Sequence, residues 1–204
     1  MIRRAFGPFE HQVSDAYRAI FIDIGALADR THQWVPNARR ILEVGCGEGA
    51  VTERLRALYP DAEITAIDVA PNLGRLYRGP RHRLRFIHCP VEDIAASEPA
   101  SFDLIILSDV LHHVPDALRR PLLASIRTAL APDGSFLFKD WERTFTPIHW
   151  MSYLSDRWLT GDRIGYLGLA ELRTILADSF GRSAVVAEAR IGPWRNNFAA
   201  LVRP

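Results

Sequence analysis

The residues best suited to chemistry are glycines, carboxylates and histidines set at the ends of apolar runs. Ile41-Leu42-Glu43-Val44-Gly45-Cys46-Gly47-Glu48-Gly49 joins an apolar strand and an acid to three alternating glycines. Without a Cβ these glycines let the chain turn sharply and let a ligand lie against bare backbone, which describes a nucleoside-binding corner. Asp68 closes the next apolar run, Glu63-Ile64-Thr65-Ala66-Ile67, where a carboxylate can accept both hydroxyls of a ribose. His112 and His113 follow the run Phe102 to Leu107, and His149 lies further on. Imidazoles at such a place can take a proton from a reacting hydroxyl.

Positioning these groups requires strands that end on one edge. Strands are expected at 40–45, 63–68, 85–88, 102–107, 135–140, 184–191 and 197–203. Helical spacing is expected over 10–33, after Gly49 as far as Pro60, near 71–78, over 115–130 and near 168–180. Alternation of strand and helix predicts an α/β fold, a doubly wound, Rossmann-like and mostly parallel sheet with an antiparallel C-terminal strand. A length of 204 residues with 48% hydrophobic content suits one domain with one sizeable core. Residues 1–39 read as an N-terminal helical lid, and 141–167, rich in Trp141, Phe145, Trp150, Tyr153, Trp158 and Tyr166, as an insertion.

Composition narrows the partners. A formal net charge of +1 argues against a global grip on nucleic acid. The arginines Arg75, Arg78, Arg81, Arg83 and Arg85 suit either a phosphate-bearing partner or a solvated face. Cys46 and Cys89 sit beside expected strands without a spaced framework and read as reduced thiols, so zinc is not expected. No apolar run reaches the roughly 18 residues of a membrane span, and the first residues lack a signal peptide's apolar core. A cytoplasmic protein, monomeric or homodimeric, is the expectation.

The glycine corner also satisfies a relaxed dinucleotide pattern through Gly45, Gly47 and Ala50. An oxidoreductase using NAD(P) is therefore an alternative. Against it, the corner follows some forty residues of other sequence, and the single lysine, Lys139, has Ser135 rather than tyrosine four positions before it. Glu43 suits a ligand with a cationic amino group and sulfonium better than a pyrophosphate.

On these segments the chain resembles the class I S-adenosylmethionine-dependent methyltransferases, and its small-molecule, quinone-biosynthesis-like branch in particular. Ile41 to Gly49 is similar to the family's first motif, Ala66-Ile67-Asp68 to its ribose-binding strand end, and Ser101 to Ser108 to its fourth strand. Leu111-His112-His113-Val114 resembles its post-strand segment, and Leu130-Ala131-Pro132-Asp133-Gly134 the turn before its fifth strand. The resemblance implies S-adenosylmethionine as methyl donor and S-adenosylhomocysteine as product. Gly45, Cys46, Gly47 and Gly49 would border the methionine moiety, and Glu43 would shape the loop or meet the amino group. Asp68 would bind ribose, Val69 would lie against adenine, and Ser108 would stand on the opposite edge. Where the family often has a Gly-Asp-Ala-Glu-like stretch, Pro90 stands in the aspartate's place, which leaves Val91 backbone and Glu92 or Asp93 for the adenine, or a helix cap instead.

The implied reaction transfers a methyl group to a small, partly apolar metabolite, with oxygen or carbon favoured as acceptor atom. A non-catalytic module binding the donor or its product is the alternative within the resemblance. His113 is the first candidate base, or an orienting histidine, with His112 and His149 behind it. Trp141, Trp150, Tyr153 and Trp158 suit an acceptor pocket, although 147–159 also reads as a helix burying Ile148, Met151, Leu154 and Trp158. Asp109 and Asp140 end neighbouring strands as in the magnesium site of catechol-type enzymes, but Trp141 stands where those have asparagine, so no metal is expected.

Overall fold

The computed structural model describes residues 21–151, 154 and 164–204. Among them, α1 (Ile24–Trp34) precedes β1 (Arg40–Val44), α2 (Ala50–Leu58), β2 (Glu63–Asp68) and β3 (Leu84–His88). Then come α3 (Val91–Ser97), β4 (Phe102–Ser108), a 3-10 turn (Leu111–His113), α4 (Asp116–Ala129), β5 (Leu130–Trp141), α5 (Leu169–Phe180), β6 (Val185–Arg190) and β7 (Asn197–Val202). The strands form one sheet in the order β3-β2-β1-β4-β5-β7-β6. All neighbouring pairs are parallel except those of β7, which runs against both β5 and β6. The expected sheet, with its antiparallel last strand, is the one found.

This order creates the site. From β1 the chain steps outward to β2 and β3, then returns so that β4 pairs with β1 on its other side. Carboxyl ends of β1 and β4 thus diverge at a topological switch point, where open α/β sheets leave a crevice. The loop after β1 is the glycine corner and the loop after β4 carries His112.

Strand alternation divides the core between the two faces. Leu42, Val44, Ile105, Leu107, Phe136 and Phe138 meet Leu123, Ile126, Leu172 and Leu176 from α4 and α5. Ile41, Leu104, Ile106 and Leu137 meet Leu27 of α1 and Leu55 of α2. Because successive side chains point to opposite faces, a central parallel strand must be apolar on both, as Phe102–Ser108 is. Helix α1 starts where Asp23 caps it by accepting from the Ala26 N–H at 2.8 Å. Its Leu27 and Ala28 are buried against the sheet face, while residues 1–20 of the expected N-terminal lid lie outside the described residues. The amphipathic spacing there came from packing on α2.

Two local expectations change. Residues 71–76 form turns, not the helix expected near 71–78. Gly74 N donates to Gly47 O at 2.8 Å and Leu76 N to Glu48 O at 3.0 Å, so donors a helix would use internally bind the glycine loop. Gly74 has φ +63 and a Cβ there would fall 2.6 Å from the Phe86 ring, which fixes this turn. Pro132-Asp133-Gly134, expected as a turn before the strand, is a register shift inside β5, whose pairing jumps from Phe102↔Leu130 to Leu104↔Ser135.

Candidate functional site

The glycine corner is tied to its neighbours by backbone bonds. Gly45 N and Cys46 N both donate to Ile67 O, at 2.8 and 3.0 Å, which draws the loop over the end of β2. Gly45, Gly47 and Gly49 all have positive φ. A Cβ on Gly45 would meet Val110 Cγ2 at 2.2 Å, so here the β1 and β4 loops touch through a missing side chain. Beside Gly47 nothing lies within 4 Å, which leaves the loop's outer backbone open to a ligand.

Asp68 supports this loop as well as facing it. One carboxylate oxygen accepts from Gly47 N at 2.7 Å and the other from Ala70 N at 2.8 Å. A carboxylate offers about four acceptor positions, so roughly two remain for a diol. Val69 is 70% exposed next to it, an apolar side chain with no protein covering it. Glu92 and Asp93 are exposed in the first turn of α3, with no side-chain cap. Val91 is buried and offers only its backbone to that side.

Glu43 does not face the crevice. Alternation along β1 puts it on the same face as Ile41, beneath the first turn of α2, where Thr52 Oγ1 donates to it at 2.6 Å. Burial pushes the Glu43 carboxyl up to about 8; the Thr52 hydrogen bond opposes this and the Asp68 charge adds to it. Burial also drives the Cys46 thiol up, with Glu43 and Asp68 nearby, so it stays a protonated, inert thiol.

Across the switch point, Lys139 and Asp140 at the β5 end each hold a partner from the segment after β4. Lys139, 1% exposed, reaches Asp109 at 2.5 Å. Asp140, 2% exposed, accepts from His112 N at 3.1 Å, from the His112 Nδ1 and from Trp141 N at 2.7 Å. Burial opposes charge on Asp140, but His112, the Trp141 N–H and Lys139 outweigh it and hold its carboxyl below the usual range. The His112 ring stacks on Tyr166 at 4.8 Å, and Tyr166 meets His149 edge-on at 5.0 Å. His149 Nδ1 accepts from the Trp141 indole at 3.1 Å. Ligand atoms of Asp109, His112 and Asp140 lie within 4.8 Å of one another, a spacing a metal ion could use. Lys139 already supplies a cation to that cluster.

With this geometry in place, residues 42–136 match the family model of a methyltransferase domain. That match takes in the segment from β1 into β5. It is 36% identical over 116 residues to a ubiquinone biosynthesis O-methyltransferase of Xanthomonas campestris pv. campestris, covering 54% of this chain and 46% of that protein. The like-named protein of Xanthomonas euvesicatoria pv. vesicatoria is 35% identical over 111 residues, 52% of this chain and 44% of its own. The chain thus spans about half the length of the curated relatives it matches. In fold it is similar to a Burkholderia thailandensis 1,6-didemethyltoxoflavin-N1-methyltransferase solved with S-adenosylhomocysteine, at TM-score 0.69 and 20% identity over 98% of this chain and 86% of that one. N-methyltransferase NodS from Bradyrhizobium japonicum gives TM-score 0.61 and 22% identity over 96% and 87%.

The sheet gathers Gly45 to Gly49, Asp68, Ser108, His112 and His113 along one edge. Ser108 Oγ donates to Asp109 at 3.2 Å. His113 stands beside His112, ring centroids 4.2 Å apart. Trp141 is buried, its ring edge-on to Phe21 at 6.1 Å. Trp150 is exposed, while Tyr153 and Trp158 lie outside the described residues. Residues 147–151 are helical as expected, yet they bury His149 and leave Met151 exposed, as is Leu154. The arginines near 75–85 are largely engaged: Arg75 with Glu48 at 2.6 Å, Arg85 with Glu98 at 2.9 Å, Arg83 with Asp61 O at 2.7 Å, and Arg81 over the Phe86 ring. Sequence reasoning missed Asp140 as partner of His112, Thr52 as partner of Glu43, and Tyr166. Only the first had a signal, since alternation back from Phe138 puts Asp140 on the face that the post-β4 segment crosses.

No described helix is long and apolar enough to cross a membrane.

Proposed function

We propose that this chain binds S-adenosylmethionine at the β1–β4 switch point and catalyses transfer of its methyl group to a hydroxyl of a small-molecule acceptor. What carries the reading is the open backbone at Gly47 lying beside the half-engaged Asp68 carboxylate at the sheet's carboxyl edge. Gly45 to Gly49 take the methionine moiety, Asp68 the ribose, and Val69 with Glu92 or Asp93 the adenine. Ser108 borders the opposite side. Glu43 holds the loop through Thr52 and touches no ligand.

When bound, the donor supplies an electrophilic methyl carbon on sulfonium. The protein's part is alignment, which can contribute about 7 to 11 kcal/mol, and removal of a proton, worth about 10² to 10⁴ in rate. The acceptor oxygen forms a bond to the methyl carbon as the carbon–sulfur bond breaks, its electron pair staying on sulfur to give S-adenosylhomocysteine. The hydroxyl proton goes to His112 Nε2. Asp140 favours His112 over His113 here, because a carboxylate on Nδ1 fixes the tautomer whose Nε2 lone pair can accept. His113 then orients its neighbour.

Incubating the protein with methyl-labelled donor and a metabolite extract tests this. Label in an ether product supports it. Tight donor binding with no labelled product points to the non-catalytic module, and binding of nicotinamide dinucleotides alone overturns the reading.

A further inference from the structure

Glu43 is a buried acid with no cation to answer it. Its side chain is 4% exposed, and among the described residues no lysine, arginine or histidine pairs with it. In register, β2 sets Ala66 and β4 sets Ile106 beside it, both apolar. From α2 it takes the Thr52 hydroxyl at 2.6 Å and the Thr52 N–H. The charged neighbours on that helix turn elsewhere, Glu53 to the Arg78 N–H and Arg56 to the Ala62 carbonyl, each at 2.9 Å. The corner adds the Cys46 thiol, and the end of β2 adds a like charge, Asp68.

These two carboxyls serve one loop. Because Glu43 is paired with Ala66, Asp68, two residues on, stands on the same face of the sheet. Asp68 holds the loop at the Gly47 N–H, and Glu43 holds the first turn of the helix into which the loop leads. Beside Gly47 the loop's outer backbone is open. A carboxyl shut away from water near another carboxylate keeps its proton, in line with the rise of Glu43 to about 8. The charge of Asp68 reaches Glu43 and favours the protonated acid. A cation lying on the loop beside Asp68 acts with the opposite sign and favours the ionised one.

We propose that Glu43 sets the corner's preference for the charged methyl donor over its uncharged product: it gives a proton to solvent when a sulfonium lies on the loop, and takes one back when transfer leaves a thioether there. This rests on the donor-binding reading of the same loop. Glu43 needs no contact with the ligand for this, since it acts through charge across the loop. The donor thereby gains on the product as pH rises, because binding that releases a proton strengthens as protons become scarce.

Calorimetry of the full chain in two buffers of different ionisation enthalpy counts the protons released on binding at pH 7. The control is Glu43→Gln, which matches the protonated acid in shape and can still accept from Thr52. An opposite charge that lowers the acid by 1 to 3 pH units predicts that S-adenosylmethionine releases about half a proton or more from the wild type beyond what it releases from the variant. S-adenosylhomocysteine should release the same from both. Between pH 6 and 7.5 the preference for donor over product should grow by about threefold or more in the wild type relative to Glu43→Gln.

Carbon-13 NMR of protein labelled at the glutamate carboxyl gives a readout that does not depend on affinity. At pH 7 a protonated carboxyl signal, absent from Glu43→Gln, is expected in the free protein and in the product complex, and is expected to move to the ionised position with the donor. Equal proton release from wild type and variant, or a Glu43 carboxyl already ionised in the product complex, overturns the proposal. Absence of binding by both ligands is a different result: it sinks the donor-site reading, and the proposal with it.

Discussion

Replacing Asp140 with asparagine separates the base function from the fold. In the native chain this carboxylate takes three donors: the His112 backbone N–H, the His112 ring and the Trp141 N–H. An asparagine keeps one accepting oxygen; set where Oδ2 holds the His112 backbone N–H, it turns its N–H group toward the imidazole and leaves the Trp141 N–H without its acceptor. His112 Nδ1 must then accept, the ring proton moves to Nε2, and the atom that should take the hydroxyl proton already holds one. Loss of general-base catalysis predicts a fall in turnover of about 10² to 10⁴. One charge-assisted bond becomes a neutral one in a buried place, which predicts a stability cost of about 1 to 3 kcal/mol. Donor affinity should change less than about threefold, since Asp140 touches none of the glycine loop. The assay is single-turnover transfer of labelled methyl into a metabolite extract, with donor affinity by calorimetry and stability by denaturant unfolding. Turnover within threefold of wild type would refute the base assignment, and loss of donor binding would refute the separation of the two halves of the site.

Asp68→Ala removes a charged acceptor worth about 1.5 to 3 kcal/mol per hydrogen bond, so S-adenosylhomocysteine should bind at least tenfold more weakly by calorimetry. Gly45→Ala forces a Cβ to 2.2 Å from Val110 at φ +77 and should cost about 1 to 3 kcal/mol in denaturant unfolding; adding Val110→Ala relieves the clash but leaves the backbone strain. Glu43 binds a proton in the native state from its ordinary value of 4.5 up to about 8, so its contribution to stability is full below pH 4.5 and is lost as pH rises through about 8. Glu43→Gln should flatten that slope, read as a smaller difference between unfolding midpoints at pH 5 and pH 7.5; an unchanged slope would place the proton elsewhere.

The sheet was legible because its signals are local. Each strand is an apolar run with a marked end, and the alternation of strands with helices leaves few topologies for a parallel sheet. The glycine corner and Asp68 were legible for the same reason, since positive φ and a strand-end carboxylate announce themselves in sequence. Glu43 was left with two roles, shaping the loop or meeting an amino group, because a strand-end acid can point to either face; the parity with Ile41 and the Thr52 hydrogen bond favour the first. The turn at 71–76 was read as helix because spacing cannot show that Gly74 and Leu76 spend their N–H groups on another loop. Asp140, Tyr166 and His149 were dispersed across segments that meet only through β5 and the sheet edge, so their contact is a product of tertiary structure. Its place in the resembled motif had ranked His113 first; the Asp140 partner favours His112.

The central claim is that the edge built from Gly45 to Gly49 and Asp68 holds S-adenosylmethionine. Calorimetric titration of the wild-type protein and of Asp68→Ala with S-adenosylhomocysteine, and in parallel with NAD and NADP, tests it most directly. The account predicts one-to-one binding of S-adenosylhomocysteine that weakens at least tenfold in the variant, with no binding of the dinucleotides. Saturable binding of NAD or NADP with none of S-adenosylhomocysteine would contradict it.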